Sequence, residues 1–200
     1  MADTNVTAEA IVADAEAAAE TLQQVKAEIA KAVFGQERVV ELALAAVLAG
    51  YPTAPWRQLV VLDCHGQSAL FSGEQTLGIN ALAKGRDCAA AGNLLAHETV
   101  PAAMITAFEA AKGLLGDRLI TAMRAGLAAG GEAGPVHSAG LYLVRDVSWP
   151  IADLRVDWAE RDPIGALSDL WELYKPQLED YVIRALDPTA APSYGVPGDE

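Results

Sequence analysis

The chain is poor in four things, and each shortage excludes a class of protein. Cysteine is scarce: Cys64 and Cys88 are the only two in 200 residues, without C-x-x-C spacing. They read as buried free thiols of a reducing, cytoplasmic compartment rather than a disulfide framework. Basic residues are few, 14 Lys and Arg against 27 Asp and Glu, a net charge of −13. A phosphate backbone is repelled by such a surface, so nucleic acid is not an expected partner. Apolar runs are short and interrupted, well under the roughly 20 residues that span a bilayer. No basic start followed by an apolar stretch marks a secretory signal, and no membrane association is expected. Histidine is rare, and His65, His97 and His137 do not show metal-ligand spacing. His97-Glu98 lacks the second histidine of H-E-x-x-H, so no metal site and no cofactor are expected.

What is present suffices for a core: 52% of residues are hydrophobic and 20% charged. The length fits one domain, or one domain with an appendage. Residues 3 to 33 read as one helix with a heptad seam at Ile11, Ala18, Val25 and Ala32 and at Ala15, Leu22 and Ile29. Alanine weakens that seam, so docking on the body is favoured over self-association, with a homo-oligomer through these helices as the other option. Gly35 breaks the helix, and a second follows over Gln36 to Ala49. The loop Gly50-Tyr51-Pro52-Thr53-Ala54-Pro55 divides this helical leader, residues 1–50, from a main domain over 51–186. Pro188, Pro192 and Pro197 mark residues 187–200 as an extended tail.

Within the main domain, Gln58 to Asp63 and Ser68 to Ser72 read as a hairpin turning at His65-Gly66. A loop is expected from Gly73 to Arg86, then a third strand from Cys88 to Leu95. Thr99 is expected to cap a helix with Pro101 in its first turn. Asp117 is expected to cap the next, with Leu119, Ile120, Met123 and Leu127 inward and Gly130-Gly131 as its stop. Strands follow over Val136 to Val144 and Leu154 to Trp158. Asp162-Pro163 then opens a last helix that Pro176 should kink. Helices and strands come in groups, which favours an α/β (α+β) body with a mostly antiparallel sheet over alternating βαβ units.

Several residues can carry chemistry. His137-Ser138 can be read as a base beside a nucleophile, or as a loop-end histidine and a small strand serine. Adjacent strand residues point to opposite faces, which favours the second. Cys64-His65 meets the same objection. Asn93, after Gly92 at a strand end, can donate its amide to a developing oxyanion or bond nearby backbone as a turn former. Arg155 and Asp157, two apart on a strand, can hold a carboxylate-bearing ligand or pair with each other.

From about Ala45 onward the chain resembles a bacterial and archaeal family known as a domain of unknown function, ten twenty-eight in that series. The residues that carry the resemblance begin with Trp56 to Asp63, Ser72-Gly73 and Gly92-Asn93-Leu94-Leu95-Ala96. They continue with Ala107 to Ala110, Gly116 to Leu119, Ala128 to Gly131, His137-Ser138-Ala139 and Asp153 to Asp157. The resemblance implies an N-terminal-nucleophile-hydrolase-like αββα fold and ancestral hydrolysis of amide bonds, with a small-molecule or peptide-like amide substrate. Some relatives carry peptidoglycan-binding modules. The pocket it implies lies near Asn93, His137 and Arg155, and Ser72 joins Arg155 and Asp157 as a ligand-binding candidate.

The opening departs from that family. Met1-Ala2-Asp3-Thr4 leads into a helix, and Ala2 cannot serve as an N-terminal nucleophile. Phe34 to Leu44, with the helix before it, instead resembles the N-terminal edge of MoxR-type AAA+ ATPases. No G-x-x-x-x-G-K-[ST] follows, which excludes ATP binding by that route. The expectation is therefore a hydrolase-like body that lacks its nucleophile strand and is inactive in this form. The alternatives are a non-catalytic binding or interaction domain, or an artificial fusion without evolved function.

Overall fold

The computed structural model describes residues 44, 45, 47–193 and 195. The helix expected over 3–33, its self-association, most of the second leader helix, the ATPase-like stretch up to residue 43 and the final acidic residues lie outside the described residues. Among the described residues six strands form three antiparallel hairpins, and four α-helices after residue 99 pack on them, an α+β arrangement as the grouping of elements suggests.

The first hairpin joins β1 (Gln58–Leu62) to β2 (Ser68–Ser72), with Val60 opposite Leu70. Its turn is built by Asp63, whose Oδ1 accepts the backbone N–H of His65 at 2.8 Å and of Gln67 at 2.9 Å. Gly66 supplies the left-handed residue (φ 81°). Leu59, Val61 and Phe71 pack with the buried Leu44 and Ala69 on one face. Val60 and Leu62 point the other way and stay exposed. Cys64 lies in this turn and is exposed, whereas Cys88 is buried. Only one thiol is therefore sheltered as the sequence reading expects.

The second hairpin pairs β3 (Ile79–Gly85) with β4 (Cys88–Leu95). The sequence reading took residues 73 to 86 as a loop, and half of that stretch is strand. Its small residues conceal it, because Ala81 and Ala83 pair with Gly92 and Ala90 and give no period-2 signal. A side Cβ at Gly85 would lie 2.5 Å from Ile105 Cγ2, so the hairpin end meets the first helix at glycine contact distance. The register shifts by one residue between Ile79 and Ala81, a bulge on β4 where Leu94 takes φ 53°.

Helices α1 (Val100–Ala110) and α2 (Leu115–Ala128) cover this hairpin through a cluster of Cys88, Ile105, Phe108 and Ala122. Two expected caps differ. The Thr99 side chain makes no capping bond, and Pro101 alone marks the start of α1. Asp117 is the third residue of α2, and its carboxylate reaches back to the Leu114 N–H at 3.0 Å. Leu127, expected inward, is 44% exposed because it lies in the last turn of α2, beyond the core.

The third hairpin pairs β5 (Ala139–Leu143) with β6 (Ala152–Val156). Strand β5 is shorter than the span read from sequence, while β6 keeps the expected length but starts two residues earlier, so that Asp157 and Trp158 follow it instead of closing it. Leu141, Leu143 and Ala152 enter the main core with Ile120, Leu167, Trp171 and Leu178. Helix α3 (Pro163–Tyr174) opens with Asp162, whose carboxylate accepts the Gly165 N–H at 2.8 Å. Pro176 interrupts it as expected, through a 3-10 turn (Lys175–Gln177) into α4 (Leu178–Leu186). The tail is not wholly extended, since Pro188–Ala190 forms a 3-10 turn.

Candidate functional site on the third hairpin

Strand alternation decides which side chains β5 and β6 offer to solvent. Leu141, Leu143, Leu154 and Val156 turn toward α3. The opposite face therefore receives Gly140 and Tyr142 from β5, and Asp153 and Arg155 from β6. Register places Gly140 opposite Arg155 and Tyr142 opposite Asp153. Continued by one pair, it brings Ser138 across from Asp157. These residues line a groove of about 490 Å³. Gly140 keeps its floor open: a Cβ there would meet only the Leu154 carbonyl oxygen, at 3.6 Å.

Three of the residues singled out from sequence, Ser138, Arg155 and Asp157, thus meet in one groove. Arg155 Nη2 donates to Asp157 Oδ1 at 2.9 Å, and both side chains are exposed. The Asp157 carboxylate, with Asp153 adding to it, raises the Arg155 guanidinium above its ordinary pKa, so it stays charged. An exposed pair of this kind exchanges partners at little cost. Two acids and one base leave the face with one net negative charge.

His137 stands beside the groove but is committed elsewhere. Its ring stacks on Trp158 with centroids 4.1 Å apart and planes 8° from parallel. Its Nδ1 lies 3.0 Å from the Ala159 carbonyl oxygen. A carbonyl only accepts, so Nδ1 carries a proton. Among the described contacts no bond joins His137 to Ser138, in keeping with their adjacent positions.

Ser72 and Asn93 lie elsewhere. Ser72 Oγ donates to Asn80 Oδ1 at 2.7 Å. Gln58 Nε2 donates both to Ser72 Oγ (3.2 Å) and to the Gly92 carbonyl (2.9 Å). Ser72 and Gly92 therefore help tie the first hairpin to the second. Asn93 is exposed at the β4 bulge and lines a separate depression with Trp56, Arg57 and Leu77. Tyr142, Asp153 and Trp158 were not among the candidate site residues read from the sequence. The signal for Asp153 was available, since it precedes Arg155 and Asp157 by the same two-residue step.

Next to the groove lies an apolar cavity of about 420 Å³ between the second hairpin, α1, α2 and β5. It shares Gly140, Leu141 and Tyr142 with the groove. Burial, with Glu109 adding to it, raises the pKa of the Cys88 thiol in its wall. Among the described residues no cluster of His, Cys, Asp and Glu is arranged to hold a metal ion, and no helix is long and apolar enough to cross a membrane.

A small α+β domain with an exposed polar face on its last hairpin is thus the class that fold and site define. The chain belongs to the Family of unknown function (DUF1028), which it matches over residues 5–167. That match starts ahead of the expected onset near Ala45 and takes in the stretch that resembled an ATPase edge. The chain is also similar to protein SPO2555 from Silicibacter pomeroyi, whose crystal structure belongs to the same family. Identity is 29% and the TM-score 0.62, over 68% of this chain and 60% of that one. The match thus spans less than two thirds of that relative. No curated protein matches the chain.

Proposed function

We propose that this chain is a binding domain of its family, with the outer face of the β5–β6 hairpin as the seat of a peptide-like amide ligand. The observation that carries the reading is the convergence of Ser138, Arg155 and Asp157 with Tyr142 and Asp153 over an open floor at Gly140. Amides suit this set. Arg155 donates to a carbonyl, Asp153 and Asp157 accept N–H groups, and Tyr142, 60% exposed, offers a ring for stacking. The groove's net negative charge, on a chain of net charge −13, disfavours a free carboxylate. The domain division at residue 50 fits this reading, with the binding face on the main domain and the leader outside it.

The test is a titration of a blocked dipeptide amide into isotope-labelled protein, followed by backbone amide NMR. Expected are shifts confined to Ser138, Tyr142 and Arg155 and their neighbours, abolished by Arg155→Ala. Shifts scattered over the surface, or retained in that variant, would sink the proposal.

Amide hydrolysis is the second reading, supported by the family resemblance and by Ser138 lying in the groove beside His137. It predicts slow release of chromophore from an amino-acid anilide, lost in Ser138→Ala. Equal turnover by wild type and variant would exclude Ser138 as its nucleophile.

A further inference from the structure

The apolar cavity and the polar groove are neighbours that share the backbone from Gly140 to Tyr142. The groove presents Arg155 among carboxylates. The cavity presents Cys88, Met104, Ile105, Phe108, Leu119 and Met123, a lining with almost no polar chemistry of its own. Its volume falls within the range of small-molecule sites. Tyr142, on the rim of both, is exposed. Asp87 also lines the cavity, and the Arg118 guanidinium lies 4.0 Å over the ring of Phe108 in its wall.

From this continuity we propose that the two form one amphiphile site. The apolar arm of the ligand enters the cavity, and a neutral or cationic polar head lies on the β5–β6 face. The proposal rests on the binding role of that face and adds the class of ligand. Two carboxylates, Asp153 and Asp157, against the single Arg155 of that face select against an anionic head, because an incoming carboxylate meets like charge beside the one cation. The apolar lining selects an aliphatic or aromatic arm through the area it removes from water.

Methionine makes the site readable. The chain has three methionines, and two of them, Met104 and Met123, line the cavity. The full chain labelled at its methionine methyl groups is titrated with butanamide, hexanamide, octanamide and octanoate. Expected are shifts of the Met104 and Met123 signals together with shifts at the Ser138 and Arg155 amides. Affinity should rise about fourfold for each methylene added. Octanoate should bind about tenfold more weakly than octanamide.

Methionine shifts without groove shifts would overturn the joint site, because the head would then lie elsewhere. Unmoved methionines would also overturn it, as they would if the first 43 residues or a second copy of the chain filled the cavity. The blocked dipeptide, which has no long arm, tests the groove alone. If it binds while the amides leave Met104 and Met123 unchanged, the amphiphile proposal fails and the binding face stands. If it does not bind, the binding-face reading itself fails.

Discussion

Asp117 joins three elements through one carboxylate, and removing it should cost more than removing its charge. Its Oδ1 accepts the Trp171 indole N–H at 2.8 Å and the Lys175 ammonium at 3.1 Å, while Oδ2 accepts the Leu114 N–H at 3.0 Å. Trp171 is 1% exposed and lies at the centre of the main core. Asp117→Ala leaves that indole donor without its partner, which costs roughly 1–3 kcal/mol, and also loses a charge-assisted bond worth about 1 kcal/mol in a half-buried setting. The expected total is roughly 2–4 kcal/mol. Asp117→Asn keeps one oxygen for the indole, but its Nδ2 cannot accept the Leu114 N–H, so it loses that bond together with the pairing with Lys175, roughly 1–2 kcal/mol. Urea unfolding followed by tryptophan fluorescence measures both. The Trp171 bond, then Lys175 and Leu114, hold the Asp117 pKa below its ordinary value against the opposing effect of burial. A depressed folded-state pKa contributes stability above the unfolded value near 3.9 and loses it as pH falls through the folded value. The gap between wild type and Asp117→Asn should therefore close in acid, while the deficit of Asp117→Ala persists in part. Equal destabilisation by Asn and Ala at neutral pH would refute the assignment, because the indole bond would then contribute nothing.

Two further predictions concern packing and thiol access. A Cβ at Gly116 would lie 2.5 to 2.8 Å from three atoms of the Trp171 ring, so Gly116→Ala should lower stability by roughly 1–3 kcal/mol through overpacking. Gly134 meets nothing within 4 Å, and Gly134→Ala should raise stability by roughly 0.4–1 kcal/mol by restricting the unfolded chain. Thermal melts of the pair check both signs, and a destabilised Gly134→Ala would show that the loop needs glycine. In thiol labelling, exposed Cys64 should react promptly and Cys88, buried with a raised pKa, roughly tenfold or more slowly. Labelling at equal rates would mean that the α1–β4 contact opens readily.

The sequence was most legible where one residue type enforces one geometry. Ser68 to Ser72 and Cys88 to Leu95 could be bounded to the residue, and Asp162-Pro163 and Pro176 could be placed, because glycine, proline and capping acids act locally. It was least legible where partners decide. β3 is built from residues with no strand preference and exists because β4 pairs with it and α1 covers the hairpin. Asp117 looked like a cap from its position before an apolar run. Its second and third partners, Trp171 and Lys175, lie more than 50 residues away and leave no mark near it. The candidate site divides along the same line. Arg155 and Asp157 announced themselves by a two-residue step, while Tyr142 becomes relevant only once β5 is registered against β6.

That register also explains why the groove can change without changing the fold. Each side chain that stabilises the third hairpin turns inward, Leu141, Leu143 and Ala152 to the core and Leu154 and Val156 behind them. Tyr142, Asp153, Arg155 and Asp157 turn outward and are exposed. The Arg155–Asp157 pair contributes little to stability at such exposure. Substitutions on the outer face should therefore alter ligand recognition at nearly constant melting temperature. Changes at Leu141 or Leu143 should do the reverse, at the roughly 2–5 kcal/mol typical of truncating a buried leucine. A hairpin whose two faces separate in this way lets loss of binding be told from loss of structure. If Arg155→Ala lowered the melting temperature as much as Leu143→Ala does, the outer face would be part of the scaffold, and the site would have to be sought around Asn93 instead.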